Sequence, residues 1–257
     1  MTVTAKPTAA RRPNPNERSM DERAEAERLA IDVRGLVKTY GQMRALDGLD
    51  LALPYGQIVG LLGENGCGKT TLLKVLGGVL ADHDGEVRIA GHTPGPQSKA
   101  LVSFLPDISF LPDSARASYC IQLYADCFDD FDPAKAHELI GFFGLDASQR
   151  LREMSKGMRE KVQIALAMAR QARVYLLDEP ISGVDPAARD VILQGVLRGL
   201  SEDSLLVIST HLIHDLEPIL DAVVMMRRGQ VVLTGQVDDL RAEHGKSIDQ
   251  LFREVYR

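Results

Sequence analysis

The chain has 257 residues, 45% apolar and 26% charged, the balance of a folded protein with room for one domain and an inserted lobe. A formal net charge of −6 argues against general nucleic-acid binding, which wants a basic face, though a local basic phosphate site stays open. No apolar run reaches the length of a membrane span, and the three cysteines, Cys67, Cys120 and Cys127, have no metal-site spacing and cannot all pair.

Residues 1 to about 28 are rich in Pro, Arg, Glu and Asn and hold few large apolar side chains, which predicts a disordered tail. No charged-then-apolar signal pattern opens it. Asp21 to Leu29 suits a short polar helix, and a partner-binding arm is the functional alternative to a solvated extension. From Ile31 the run IDVRGLVKTY alternates like a strand, and ALDGLDLALPYGQIVGLL carries two more, broken at Asp47-Gly48 and at Pro54-Tyr55-Gly56. A helix is expected from Gly68-Lys69-Thr70 to about Leu80. Gly85 to Gly91 and Ala100 to Leu105 read as strands. Asp113 to Arg170 reads as helical, with Pro133 opening one helix and Ser155 capping another. Cys120 and Cys127 lie in its apolar stretch and are expected as small core residues. Then come a buried strand from Ala172 to Leu177, a helix from Pro186 and a strand from Leu205 to Thr210. A helix near Leu212 to Leu220, strands at Ala222 to Arg227 and Val231 to Thr234, and short closing helices follow. Strands alternating with helices predict an α/β fold with a parallel sheet, an antiparallel sheet beside it and an inserted helical lobe.

GENGCGKT, Gly63 to Thr70, matches the phosphate-loop pattern and follows the apolar strand Ile58 to Leu62. Its glycines, Gly63, Gly66 and Gly68, with Glu64, Asn65 and Cys67 between them, let backbone N–H groups turn inward as an anion nest. The following helix points its positive end at the same place. Lys69 reaches the β- and γ-phosphates in this reading, Thr70 places its hydroxyl on Mg²⁺, and Thr71 bonds the α-phosphate. Cys67 sits where a positive field would lower its pKa, or is an incidental occupant of a variable position. VYLLDEP, Val174 to Pro180, is an apolar strand ending in two acids. Two carboxylates there are costly unless a cation receives them. A Mg·ATP site supplies one, with Asp178 holding the metal and Glu179 activating the attacking water.

With these motifs the chain resembles the ATP-binding subunit of an ABC transporter over about Ile31 to Gly235. The resemblance implies a P-loop NTPase core, here placed at 29–240 with the helical subdomain at about 108–168 and a short extension at 241–257. It also assigns roles. Tyr40 matches the aromatic that stacks on adenine. MSKGM, Met154 to Met158, occupies the signature position, so Ser155, Gly157 and Met158 would bind the γ-phosphate held by a second subunit. Asp185 in ISGVD would signal across that interface, and His211 in STH would contact the γ-phosphate and fix the water with Glu179. The implied cofactors are ATP and Mg²⁺. The implied partners are a second ATPase subunit, identical or homologous, and an integral membrane permease that places the chain at the cytoplasmic side of the membrane. A groove near Asp107 to Tyr124 would receive the permease's cytoplasmic helix.

Two departures from the family pattern stand out. The signature is usually LSGGQ; here Lys156 either adds charge near the nucleotide or, the favoured reading, points to solvent. The family usually ends a strand in Leu-Pro-Gln, whereas the strand here ends in Pro106-Asp107, an acid where a Mg²⁺-touching amide is expected. Asp107 with SKGM and DEPISGVDPAARD resembles small bacterial exporter-type ATPases, and the short segment after Gly235 also leans toward export. The alternative is an ABC-type ATPase that transports nothing and serves assembly or regulation. The pentapeptide SFLPD occurs twice, at Ser103 to Asp107 and at Ser109 to Asp113. The first copy carries the metal-facing acid in this reading. In the second, Phe110 and Leu111 enter the lobe and Asp113 caps the next helix through Ser114 and Ala115.

Overall fold

A computed structural model of the protein describes residues 28–256. The expected tail and its polar helix lie outside them, except that Leu29 already opens the first strand.

The N-terminal half builds an antiparallel sheet in the order β2-β1-β4 from β1 (Leu29–Tyr40), β2 (Met43–Pro54) and β4 (Asp84–Ile89). Asp47-Gly48 does not break β2 as expected. Gly48 takes φ 70° inside the strand, and the pairing with β1 slips there, between Leu36↔Leu49 and Val37↔Asp47. The pair that reads as a turn is a bulge, because β1 continues opposite it and keeps the ladder going.

The second sheet has six strands in the order β5-β6-β7-β3-β8-β9. They are β3 (Gln57–Leu62), β5 (Val102–Leu105), β6 (Val174–Asp178), β7 (Leu205–Thr210), β8 (Ala222–Arg227) and β9 (Gln230–Gln236). All pairs are parallel except β8 with β9. Every residue of β6 and β7 is buried, as a strand covered on both faces requires. One hydrophobic core joins one face of this sheet to the helical lobe, and another fills the space between its opposite face, the antiparallel sheet and α1 (Lys69–Leu76).

Several boundaries move for local reasons. Helix α1 ends at Leu76 rather than near Leu80, because Gly77-Gly78 follows and Gly78 adopts a left-handed φ of 67°. Ala100 and Leu101 belong not to a strand but to α2 (Pro96–Leu101). Pro96 starts that helix, and the Ser98 hydroxyl accepts the Gly95 N–H at 2.9 Å. The lobe comprises α3 (Ala117–Cys127), α4 (Pro133–Phe142) and α5 (Lys156–Met168), with Asp132 and Ser155 capping the last two. Cys120 is buried as expected, but Cys127 is exposed, since it lies on the last turn of α3 away from the core stripe. Arg170 ties the lobe to the sheet. Its guanidinium bonds Asp130 at 2.6 Å and the carbonyls of Val102 and Ala100, and lies 4.1 Å from the Phe128 ring centre.

Beyond β6 come α6 (Pro186–Gly199), α7 (Ile213–Leu216), α8 (Val237–His244) and α9 (Ile248–Val255). The helix expected to reach Leu220 gives way to a 3₁₀ turn at Glu217–Ile219, where Pro218 cannot continue the α-helical ladder.

Candidate functional site

Parallel strands β6, β7 and β3 are neighbours, so their carboxyl ends deliver Asp178-Glu179, Thr210-His211 and the Gly63 loop to one edge of the sheet. Ligands of open α/β sheets collect at such an edge. The loop is tightly held at its two ends. A Cβ at Gly68, whose φ is 112°, would stand 2.5 Å from the Ala45 carbonyl oxygen. One at Gly63 would stand 2.6 Å from the Met226 carbonyl oxygen. Gly66, between them, differs from both. A Cβ there would meet nothing within 4 Å, so space does not call for a glycine. Its backbone does, with a left-handed φ of 81°. Gly66 is the third residue of a turn that the Cys67 N–H closes on the Glu64 carbonyl at 3.2 Å, the position where a positive φ favours glycine. The open space beside Gly66 leaves room for the close backbone approach expected of a phosphate-binding loop. No side chain caps α1, which leaves its N-terminal end to the loop. Lys69 is buried, and its Nζ donates to the carbonyls of Gly63 at 2.7 Å and Glu64 at 3.3 Å. The lysine thus stands over the loop. Burial pushes the Cys67 thiol up and outweighs the pull of Lys69, which favours the reading of an incidental occupant of the loop over that of a low-pKa thiol.

The acid pair divides its tasks by environment. Asp178 is almost fully buried. Its Oδ1 accepts the Ser209 hydroxyl at 2.5 Å, while Oδ2 has no partner among the described residues. A buried carboxylate oxygen left over in this way carries an uncompensated desolvation cost unless a cation meets it. Glu179 takes a left-handed φ of 51°, unusual for a residue with a side chain, and its N–H is held by the Ser209 carbonyl at 3.1 Å. The twist turns its carboxylate to His211, whose Nδ1 lies 2.9 Å from Oε2. Ser209 therefore organises both acids. An apolar strand ending in Ser-Thr carries no signal that the Ser209 hydroxyl reaches a neighbouring strand.

The donor set fits Mg²⁺. Asp178 offers a buried carboxylate oxygen with no partner among the described residues. Mg²⁺ is typically held by one or two carboxylates together with substrate phosphates, not by a full protein cage.

Asp107 joins this edge. It lines a pocket of about 460 Å³ with Asp178 and Glu179, bounded on the lobe side by Glu160 and Gln163 of α5. Asp113 lines the same pocket but does not cap α3. Its carboxylate lies 3.2 Å from Arg159 Nη1. The cap is not needed, because the first N–H groups of α3 are taken by main-chain carbonyls, Ala117 by Gln149 and Ser118 by Ala147. Leu111 is buried in the lobe as expected, whereas Phe110 is exposed.

The remaining sequence-derived residues sit apart from the loop. Ser155 Oγ accepts the Met158 N–H at 3.3 Å at the head of α5, and Gly157 follows in its first turn. Lys156 is largely exposed but also lines the pocket of Asp107, Asp178 and Glu179, with its Nζ 3.5 Å from Glu160 and 3.4 Å from the Ser182 carbonyl. Asp185 caps α6 through the Ala188 N–H at 3.1 Å. Tyr40 closes β1 with an exposed ring, 5.3 Å from Lys38 Nζ. Among the contacts of the described residues, none links Tyr40, Ser155 or Gly157 to the phosphate loop. Nothing in the sequence singles out Arg189, which reaches Asp215 at 2.7 Å and so braces α6 against the helix after His211.

The family model described as ABC transporter matches residues 46–182. A curated relative, the daunorubicin resistance ATP-binding protein DrrA3 of Streptomyces coeruleorubidus, is 31% identical over 88% of this chain and 74% of its own length. Another, the sulfate/thiosulfate import ATP-binding protein cysA of Cucumis sativus, is 32% identical over 80% of this chain and 63% of its own. A solved structure described as an ATP binding subunit of an ABC transporter superposes with a TM-score of 0.79 at 26% identity, covering 89% of this chain and all of that one.

Proposed function

This chain belongs to the ABC transporter family as an ATP-binding subunit and an ATPase, and from that premise we propose that it dimerises around ATP and powers export through a separate membrane permease. The observation that carries the reading is the edge of the parallel sheet. A buried Asp178 with a spare oxygen stands next to the Glu179–His211 pair, with the phosphate loop two strands away.

That geometry supports the roles of the loop, the acid pair and His211, and the family resemblance supplies those of Tyr40, the signature residues and Asp185. Backbone N–H groups of the loop other than that of Cys67, with Gly66 at the open turn, and the head of α1 receive the phosphates. Lys69 exchanges its two loop carbonyls for β- and γ-phosphate oxygens. Thr70 and Asp178 would hold Mg²⁺, with Asp107 facing it from the pocket. Bound there, the ion neutralises charge on the β- and γ-phosphates. Glu179 accepts the proton of the attacking water as its oxygen bonds to the γ-phosphorus and the bond to ADP breaks. His211, bonded to Glu179, fixes that carboxylate and faces the γ-phosphate. Tyr40 stacks on the adenine. Ser155, Gly157 and Met158 of a second subunit, identical or homologous, close over the γ-phosphate, and Asp185 reports across the interface. Residues 29–240 form the ATPase domain, and the lobe at about 108–168 meets the permease on the cytoplasmic side.

Three experiments test this. Glu179→Gln should trap an ATP-bound dimer, read by light scattering with and without ATP; a chain that stays monomeric at saturating ATP overturns the composite site. Tagged chain taken from detergent-solubilised membranes should copurify an integral membrane protein. Its absence, with ATPase activity indifferent to membranes, would favour the non-transport reading. The direction of transport rests on resemblance to exporter-type sequences, and a vesicle assay with the copurified permease decides it.

A further inference from the structure

The turn between β8 and β9 grips the phosphate loop from behind. Strand β8 pairs with β3 up to Leu62↔Met225, which brings the Met226 carbonyl against Gly63, the first residue of the loop. The Gly229 N–H then donates to the Cys67 carbonyl at 2.9 Å, and the Gly229 carbonyl accepts the Asp47 N–H at 3.0 Å. The turn therefore fixes the loop at both ends of its glycine run and anchors it to the antiparallel sheet. The Met226 carbonyl itself lies where the β8–β9 ladder changes register. At that point a main-chain acceptor risks going unpaired.

Its partner comes from the far end of the described chain. Tyr256 Oη donates to the Met226 carbonyl. The tyrosine is held to this task. Its ring lies against Phe252, 4.2 Å between centres, and Arg227 Nη1 donates to the Val255 carbonyl at 3.2 Å, tying the end of α9 to β8. Helix α9 is itself pinned by buried Ile248 and Leu251 and by a capping box between Ser247 and Gln250. Burial raises the phenol's pKa, and the nearby Cys67 and Glu64 of the loop raise it further, against the pull of Arg227, so the hydroxyl stays a donor.

We propose that Tyr256 is a positioning residue for ATP binding: through the Met226 carbonyl it holds Gly63 and hence the phosphate loop in its anion-receiving shape. The proposal rests on the reading of residues 63–70 as the nucleotide site. A mobile loop would have to be ordered by the nucleotide itself, and that cost appears as weaker affinity.

The test is equilibrium binding of a fluorescent ATP analogue to the full-length chain, reading both affinity and stoichiometry. Tyr256→Phe keeps the ring packing and removes only the donor. Its Kd should rise about threefold to tenfold, the worth of one hydrogen bond, with unchanged stoichiometry. A merely structural role would lower the fraction of competent protein and leave Kd alone, and that result, or a Kd unchanged within twofold, overturns the proposal. Lys69→Ala is the separate arm. It should abolish binding if residues 63–70 are the nucleotide site; binding retained in Lys69→Ala refutes that reading, whatever Tyr256→Phe does.

Discussion

The carboxyl edge of the parallel sheet and the loop leaving β5 both present acids to one pocket, and they hold them differently. Asp178 is the last ladder residue of a strand with a neighbour on each side, Glu179 follows it directly, and each is fixed by Ser209 from the neighbouring strand. Asp107 and Asp113 lie beyond the last ladder residue of an edge strand, Leu105. Only Asp113 among those two has a described ion pair, with Arg159. An acid placed by a ladder has its position set before any ligand arrives. A loop acid depends on a ligand or partner to fix it. That difference predicts where substitutions should hurt.

The largest effect is expected at the ladder. Glu179→Gln keeps the shape and the left-handed turn but removes the base, so turnover should fall by about 10²–10⁴-fold while ATP affinity holds. Single-turnover hydrolysis with preformed enzyme·ATP separates the two. A loss of only a few-fold would mean that Glu179 is not the base, and the contrast between the two regions would lose its strongest case.

The same contrast explains what the sequence made legible. The phosphate loop, the acid pair and His211 were readable because each sits at the end of a short apolar strand, and the ladder converts that position into geometry. Leu205–Thr210 and Ala222–Arg227 match their expected bounds for the same reason. Asp47-Gly48 misled because a bulge and a turn share their residue chemistry, and only the partner strand decides between them. The Asp113 cap misled because Asp before a helical run is a good local signal. It was overridden by carbonyls of residues 147 and 149, thirty or more positions away. Ser209, Arg189 and Tyr256 were illegible for one common reason: each acts through hydrogen bonds to residues distant in sequence, which no periodicity records.

Glu217 extends the comparison to stability. It lies outside the pocket and is held like a ladder acid, by Arg241 at 2.8 Å and by the N–H groups of Ile248 at 3.0 Å and Asp249 at 3.4 Å. Burial pushes its carboxyl up, but these donors together outweigh burial and keep it below the usual glutamate range. Glu217→Ala strands the donors that hold α8 and α9 and should cost about 2 kcal/mol in urea unfolding at pH 7. The sign with pH is fixed by the direction of the shift. A depressed carboxyl contributes its full stability above the unfolded-state pKa and loses it as pH falls through the folded-state value. The gap between wild type and Glu217→Gln should therefore close on acidification below the ordinary glutamate range. A gap that stays constant with pH would show that the carboxylate charge is not what matters there.

Asp107→Asn comes next. If Asp107 faces the ion, the substitution should raise the Mg²⁺ concentration needed for half-maximal ATPase by about tenfold at fixed ATP, the size typical of a supporting group around a metal. An unchanged Mg²⁺ requirement would take Asp107 out of the site and leave Asp178 and Thr70 to hold the ion.

Asp113→Asn should do least, and it is the sharpest control because the two acids end identical pentapeptides. In the first copy, Ser103, Phe104 and Leu105 pair with β6, and Ser103 Oγ donates to the Ala167 carbonyl at 2.8 Å, so Pro106-Asp107 leaves the sheet in a defined direction. In the second copy, Ser109, Phe110 and Leu111 pair with no strand, and the exposed Asp113 pairs its charge with a half-buried Arg159. An exposed pair of that kind is worth about 0.5 kcal/mol or less, and its loss should leave both the Mg²⁺ requirement and the unfolding midpoint near wild type. Equal shifts in the two variants would show that the pocket treats both acids alike. The strand before Asp107 would then confer nothing that Asp113 lacks, and the ladder would have to be given up as the reason that one copy of SFLPD serves the nucleotide and the other does not.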